Sequence, residues 1–357
     1  MTSPPFRVGI VGCGAISRNH IEAFRVIPEA QIVAVCDVDA TRALETADRW
    51  GIDGAYGSVD ELLAAGVDIV SVCTPHPTHE AVVLAAAAAK VHVLCEKPIA
   101  IELESAERMI AACDEAGVKF GVLFQRRFWP AAQRLRRAID DGTLGRPILG
   151  HASVILHRDP AYYSAWRGTW ATDGGGVLMS QAIHHIDLLQ WFMGEAVEVH
   201  GHVATFRHRI EVEDTAAAVV KFASGAMAAI SATTAATPNL GETIRITGET
   251  GATAELTEFP EGSDGRITLW ARGTEIGTEP VHPAGLKPNI DLSTINGQLI
   301  PHHASQIRDF VDALREDRAP AITGRDATAA LRILLAVYES SRTGRPVRLA
   351  ASAVPAS

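Results

Sequence analysis

Over its first ~120 residues the chain alternates short apolar runs, rich in β-branched residues, with helix-forming segments, and nothing else limits the fold as strongly. The runs lie at residues 7–12, 31–37, 68–74, 92–98 and 119–124, and the segments between them at 15–27, 41–50, 59–65, 81–90 and 102–116. Strands joined through helices must run parallel, because each helix carries the chain back along a face of the sheet. The expected first domain, residues 1–125, is therefore a doubly wound parallel sheet of the Rossmann type. In such a sheet ligands sit outside the carboxyl ends of the strands, so the residues ending each run are the ones to read for chemistry.

The first run ends in Gly12-Cys13-Gly14-Ala15-Ile16-Ser17. Gly12 and Gly14 suit a tight turn and the close approach of a pyrophosphate resting on the helix N-terminus that follows. Ser17 takes the third position, where Gly or Ala is usual, and the same glycines also serve a plain strand–helix turn. The second run ends in Asp37, about twenty residues on, where a carboxylate accepts hydrogen bonds from the adenosine ribose and repels a 2′-phosphate. That favours NAD, while Arg42 leaves NADP open; the alternative role for Asp37 is a helix N-cap. The third run ends in Thr74-Pro75-His76-Pro77 and the fourth in Glu96-Lys97-Pro98. Lys97 would stand at the lip of the sheet, where cofactor and substrate meet, although a lone Glu-Lys pair is as readily a solvated loop.

At 357 residues the chain calls for two domains, and 47% hydrophobic with 21% charged residues is globular composition. A net charge of −10 without basic runs argues against a nucleic-acid groove. No apolar run approaches a membrane span, the start of the chain does not read as a secretory signal, and five scattered cysteines show neither disulfide nor metal spacing. These features lead to the expectation of a soluble cytoplasmic protein without a metal.

After Arg127 the pattern changes. An amphipathic helix at 131–140 precedes consecutive strand-like runs at 148–156, 197–205, 216–222, 226–232, 243–248, 252–256 and 267–271. Residues 126–357 are expected to form an α+β domain with a large open, mainly antiparallel sheet. Two closing helices, at 304–315 and 327–341, are expected to pack back on one of the domains. One helix interrupts the strands, at 173–193, with Leu178, Ala182, Ile186, Leu189 and Met193 on an apolar stripe. Ser180, His184, Asp187 and Trp191 fall opposite, His185 flanks the stripe, and glycines 174–176 let another group approach the backbone.

Gly12-Cys13-Gly14-Ala15-Ile16, Thr74-Pro75 with His79, Glu96-Lys97-Pro98, and Gly174-Gly175-Gly176 with His184 and Asp187 together resemble the Gfo/Idh/MocA oxidoreductases over nearly the whole chain. The resemblance implies NAD(P)-dependent chemistry on sugars, inositols and related polyols, and dimer or tetramer contacts through the second domain's sheet. It implies catalytic roles for Lys97 and His184 and cofactor contacts at Gly12, Gly14, Ala15, Ile16, Asp37, Arg42, Thr74, Pro75, His79, Glu96, Lys97, Gln125, Trp166 and Arg167. Many members carry Asp, some Asn, where this chain has Ser180; a hydroxyl can position the histidine but cannot share its proton as a carboxylate does.

Oxidising a secondary alcohol requires a hydride acceptor over the carbon and a base for the hydroxyl proton. His184 suits the base near neutral pH. Lys97, driven towards its neutral form beside a cationic nicotinamide, would polarise or relay, and Ser180 would position. Lys97, Arg127, His157, Tyr163, Gln181 and His184 are the expected substrate contacts, with further polar and aromatic groups at Trp166 and Arg167. Two other functions use the same scaffold: a glycoside hydrolase that oxidises its sugar transiently with NAD, and a non-catalytic nucleotide sensor.

Overall fold

The structure, a computed structural model, describes residues 4–164 and 166–350; the first three residues of the N-terminal stretch read above for a secretory signal lie outside it. Residue contacts divide the chain into two units, Met1–Gln125 with Asn296–Thr328, and Arg126–Ile295 with the chain from Ala329 onward.

In the first unit, six parallel strands, β1 (Phe6–Val11), β2 (Ala30–Cys36), β3 (Gly54–Tyr56), β4 (Ile69–Val72), β5 (His92–Cys95) and β6 (Phe120–Val122), lie in the order β3-β2-β1-β4-β5-β6. They alternate with α1 (Ser17–Arg25), α2 (Ala40–Trp50), α3 (Val59–Ala64), α4 (His79–Ala88) and α5 (Leu103–Ala116). Val8, Ile10, Ile69, Val70, Val93 and Leu94 are fully enclosed. Strands covered on both faces have no polar side to show, hence their unbroken apolar runs. Asp39 caps α2 by accepting from the Thr41 and Arg42 N–H groups, and Gly51 at φ +61° ends it in the left-handed region.

Part of the last quarter of the chain, placed by sequence order in residues 126–357, belongs to this first unit. Ile307, Phe310 and Val311, from the helix Leu292–Arg315, join a core of Val8, Ile10, Phe24, Ile69 and Leu94. Gly121 makes the room: a side chain there would begin 2.9 Å from a Phe310 ring carbon. The Gln306 amide accepts from the Phe124 N–H at 3.0 Å and donates to the Val122 carbonyl at 2.7 Å. The edge strand β6 is thereby covered, which removes an unpaired edge.

The second unit holds α6 (Pro130–Asp140), β7 (Pro147–Ile155), α7 (Trp170–Asp173), α8 (Ile183–Met193), β8 (Ala196–Ala204), β9 (Thr215–Phe222), β10 (Met227–Thr233), β11 (Gly241–Gly248), β12 (Thr253–Glu258), β13 (Arg266–Arg272), β14 (Glu275–Thr278) and β15 (Val347–Arg348). Its nine-stranded sheet runs β14-β13-β12-β11-β7-β10-β9-β8-β15. β7 and β10 are parallel, and the other neighbouring pairs are antiparallel. A parallel pair needs a long crossover, and the connection leaving β7 supplies α7 and α8. α8 packs on β7 and β11, and Gly150 in β7 leaves space for Leu189 and Met193, 2.8 and 3.0 Å from where its side chain would begin. Along β9, Ala216, Ala218, Val220 and Phe222 are buried while Ala217, Val219 and Lys221 face outward. No helix among the described residues is long and apolar enough to cross a membrane.

Candidate active site

The glycine turn between β1 and α1 is set by contacts on one side and open space on the other. Gly12 has φ +93°, and a side chain on it would begin 2.8 Å from the Cys73 carbonyl, so only glycine fits. Around Gly14, apart from its own chain neighbours, no atom of the described residues lies within 4 Å of that point. Ser17 packs into the turn and donates its hydroxyl to the Gly14 carbonyl at 2.7 Å. Asp37 is no helix cap: one oxygen accepts from the Cys13 N–H and the other from the Asp39 N–H, both at 2.9 Å, and Arg42 Nη1 stands 3.5 Å from each. A cleft of about 570 Å³ opens here, lined by Cys13, Gly14, Ala15, Ser17, Arg42 and Thr46 among others. Ile16, half-buried, precedes α1, Pro75 is exposed, and the Thr74 hydroxyl oxygen at the end of β4 is buried without a protein hydrogen bond. Open space at Gly14, a carboxylate at the end of β2 and an orphan hydroxyl after β4 fit a dinucleotide laid across the strand ends.

Lys97 follows β5 half-buried, and its neighbours turn inward. The Glu96 carboxylate does not face the cleft; Oε1 meets His20 Nε2 at 2.9 Å and His303 Nε2 at 3.4 Å, and Oε2 accepts from the Lys97 N–H at 3.1 Å. Burial pushes this carboxyl up, and the two histidines more than reverse it, leaving it well below its usual range. His79 is likewise fully buried rather than open to a cofactor. Its Nε2 lies 3.0 Å from the Thr74 carbonyl and its Nδ1 3.0 Å from that of Pro98, tying the loop after β4 to the loop after β5. Gln125, at the end of this unit, is buried, with its carbonyl oxygen unpaired.

In the second unit the continuous helix expected over residues 173–193 is broken. α7 stops at Gly174, φ +76°, and a π-helical turn, Leu178–Ala182, leads into α8. The groups that approach the glycines are the protein's own. A side chain on Gly175 would overlap the Tyr338 hydroxyl, and one on Gly176 the Glu213 carbonyl oxygen. The Glu213 carboxylate accepts from the Gly176 and Leu178 N–H groups, each at 2.9 Å, and from Tyr338 at 3.0 Å. Burial pushes Glu213 up to about 7 against the pull of those hydrogen bonds. Ser180 donates to Asp173 Oδ1 at 2.8 Å, and Oδ2 of the same buried carboxylate accepts from the Gly168 N–H. The carboxylate that residue 180 lacks thus stands one hydrogen bond away.

α8 is enclosed on nearly every side, not on one stripe: His184 and Asp187 are buried with the apolar positions, and Trp191 is half-buried. The reason is Arg127, whose guanidinium grips Asp187 bidentately at 2.6 and 2.8 Å with both groups buried. Arg127, expected to contact substrate, is committed to this pair. His185 is fully buried and neutral, lowered to about 3 by burial and by the charge of Arg126. Tyr163 is also structural: its hydroxyl bonds Thr234 at 2.8 Å, and burial pushes it up to about 12. His157 meets the Ala236 carbonyl at 2.8 Å. The aromatic residue beside Gln181 is Tyr162, whose hydroxyl accepts from the amide at 2.7 Å. Arg167 lies 4.6 Å from the centre of the Tyr162 ring and 4.5 Å from that of Trp166, and stays half-exposed.

Sequence reasoning missed Asp173, Glu213, Tyr338 and His20; it reads His302 and His303 as capping or surface residues ahead of a helix, whereas both lie buried within Leu292–Arg315. Only His20 left a local sign, a polar residue beside Ile21 on the buried face of α1. The partners of the others are brought in from distant strands and helices.

A parallel sheet with a glycine turn and an acid at its second strand, in a chain whose other unit carries a glycine–histidine helix, defines a nicotinamide-dependent oxidoreductase. Residues 6–124 match the oxidoreductase family with an NAD-binding Rossmann fold, Gfo/Idh/MocA, and residues 132–254 match that family's C-terminal domain. The chain belongs to the Gfo/Idh/MocA family, and its cofactor is NAD. It is 30% identical to D-apiose dehydrogenase of Paraburkholderia graminis, over 96% of this chain and 90% of that one. It is 29% identical to myo-inositol 2-dehydrogenase of Thermotoga maritima, over 96% and 98%. Among solved structures, the WlbA dehydrogenase of Bordetella pertussis, in complex with NADH and UDP-GlcNAcA, superposes with a TM-score of 0.84 at 34% identity, over 98% of this chain and 100% of that one.

Proposed function

We propose that this oxidoreductase moves a hydride between NAD and a secondary alcohol or ketone of a sugar, a polyol or a sugar derivative. The observation that carries the reading is Lys97, presented half-buried at the carboxyl end of β5 in the same sheet whose β1 end forms the open cradle at Gly14. The relatives that act on D-apiose and myo-inositol, and the one holding UDP-GlcNAcA, support the substrate class. Bound NAD would supply the hydride acceptor. Gly12, Gly14, Asp37 and Thr74 would hold it, with Trp166 and Arg167 as further contacts. In this reading His184 takes the hydroxyl proton, Lys97 polarises the same oxygen, and Ser180, backed by Asp173, positions. Gln181 and Tyr162 offer hydrogen bonds to substrate hydroxyls.

A panel of aldoses, polyols, glycosides and UDP-linked sugar acids, run with NAD and with NADP, tests this through reduced-nicotinamide absorbance and product analysis. Stoichiometric NADH with a ketone or lactone product is expected. Cleavage of a glycoside with no net NADH would replace it with the hydrolase reading. Lys97→Met and His184→Ala should each lower kcat by roughly a hundred-fold or more with NAD affinity retained; full turnover in either variant removes that residue from its role. We further infer that a second copy of this chain covers the outer sheet face around Leu149, Val219 and Met227, each about half exposed.

A further inference from the structure

Arg158, which follows β7, and Glu261, which follows β12, form a buried ion pair within the second unit. Arg158 Nη1 and Nη2 donate to Glu261 Oε2 and Oε1 at 2.8 and 2.5 Å, and Nη1 donates also to the His157 carbonyl at 2.9 Å. Glu261 is held further by Asn239, whose amide nitrogen stands 3.4 Å from Oε2 and whose oxygen accepts from the Gly241 N–H at 2.8 Å. Removing two charges from water is costly and pairing only offsets the cost, so such a pair is a poor device for stability alone. What it fixes is a direction: the Arg158 guanidinium carbon lies 5.1 Å from the centre of the Tyr162 ring.

Tyr162 has firm neighbours on other sides as well. The Arg167 guanidinium lies 4.6 Å from the ring centre, and the Tyr163 ring meets it edge-on at 4.9 Å and 88°. Tyr163 is itself anchored through its hydroxyl to Thr234. The Tyr162 hydroxyl accepts from Gln181 Nε2 at 2.7 Å. A phenol still has its own hydrogen to give, and an amide still has a carbonyl oxygen that accepts. Among the described residues nothing takes the Tyr162 hydrogen and nothing donates to Gln181 Oε1. A donor and an acceptor therefore stand side by side, three residues ahead of His184. Neighbouring hydroxyls on a sugar ring match them: one accepts from Tyr162 while the next donates to Gln181. A single hydroxyl, or a diol with one oxygen methylated, cannot satisfy both.

We propose that Tyr162 and Gln181 recognise a vicinal diol of the substrate, and that the Arg158–Glu261 pair is a positioning unit that aims the Tyr162 hydroxyl. The proposal deepens the reading given above and rests on it for the reacting carbon. Without the pair the ring loses the cation beside it, and the diol is held less well oriented.

Tyr162→Phe tests the contact, and the double variant Arg158→Met with Glu261→Leu tests the positioning. The double change removes both charges together and leaves no lone charge in the interior. D-glucose, D-xylose and myo-inositol are the probes, each beside a monodeoxy and a mono-O-methyl analogue. On an intact diol Tyr162→Phe should lower kcat/KM roughly ten- to a hundred-fold, and on the analogue lacking the contacted hydroxyl less than about three-fold. The double variant should raise the KM for the diol roughly ten-fold while the KM for NAD moves less than about three-fold. Arg158→Lys keeps the charge but loses the planar fork, so it should raise the diol KM in the same sense, and it supplies this test if the double variant does not fold. Equal losses on diol and analogue, or an unchanged diol KM in the Arg158 variants, would overturn the proposal. Binding is read apart from redox chemistry. With four tyrosines in the chain, 3-fluorotyrosine enzyme gives a short fluorine spectrum in which the line lost in Tyr162→Phe is that of Tyr162. That line should shift with the diols and not with the analogues. A shift without turnover of any probe defeats the redox reading and leaves this one standing, whereas no shift with any of the three diols defeats this one.

Discussion

Glu213 decides the backbone ahead of His184 although it lies far along the chain, between β8 and β9. Glycines 174–176 announce crowding in the sequence, since three absent side chains mean something must come close. What comes close is an acid and a tyrosine from distant elements, which no local pattern names. Because burial raises Glu213 from 4.5 to about 7, its neutral form is favoured in the folded state. Its contribution to stability is then fully present below pH 4.5 and is lost as the pH rises through 7. Relative to Glu213→Gln, the wild type should lose stability by up to roughly 3 kcal/mol across that window. Denaturant unfolding of both proteins at several pH values checks the slope; parallel lines would contradict it. Arg127 and Asp187 teach a related lesson. Each looked available in the sequence, and together they satisfy one another in the interior.

The elements easiest to read in the sequence were those with a long, uniform period. The strands of the first sheet are continuous apolar runs because helices cover both faces, and β9, β10 and β11 alternate buried and outward-facing residues. β3, β14 and β15, at three, four and two residues, are too short to show a period, and β14 is exposed throughout. The parallel pairing of β7 with β10 is invisible locally, because it depends on where the crossover returns the chain. The break at Leu178–Ala182 depends equally on Glu213 drawing off backbone N–H groups. The helix Leu292–Arg315 carries a prediction of its own. Phe310 is 1% exposed and fills the space that Gly121 leaves. Phe310→Ala should cost about 3–5 kcal/mol in chemical denaturation, since an aromatic ring is removed from a packed site. A loss below about 1 kcal/mol would mean that the segment contributes little to the first unit.

At the level of the whole molecule, the outer face of the nine-stranded sheet carries an exposed apolar patch, Leu149, Ala217, Val219, Met227 and Ala229, bordered by His151, Lys221 and Arg245. In register, Ala229 stands between His151 and Val219, and Met227 between Leu149 and Lys221. If a second copy covers this face, Val219→Lys should shift the protein to monomer in sedimentation velocity at unchanged helix content; an unaltered sedimentation coefficient would reject that surface. The return of residues 296–328 to the first unit bears on how the protein is made. A ribosome that has completed the six parallel strands has not yet synthesised the residues that seal the flank beside β6. That flank stays bare throughout translation of the intervening sheet, so the N-terminal half reaches its final packing only late in synthesis, and chaperones have their longest opportunity to engage it before then.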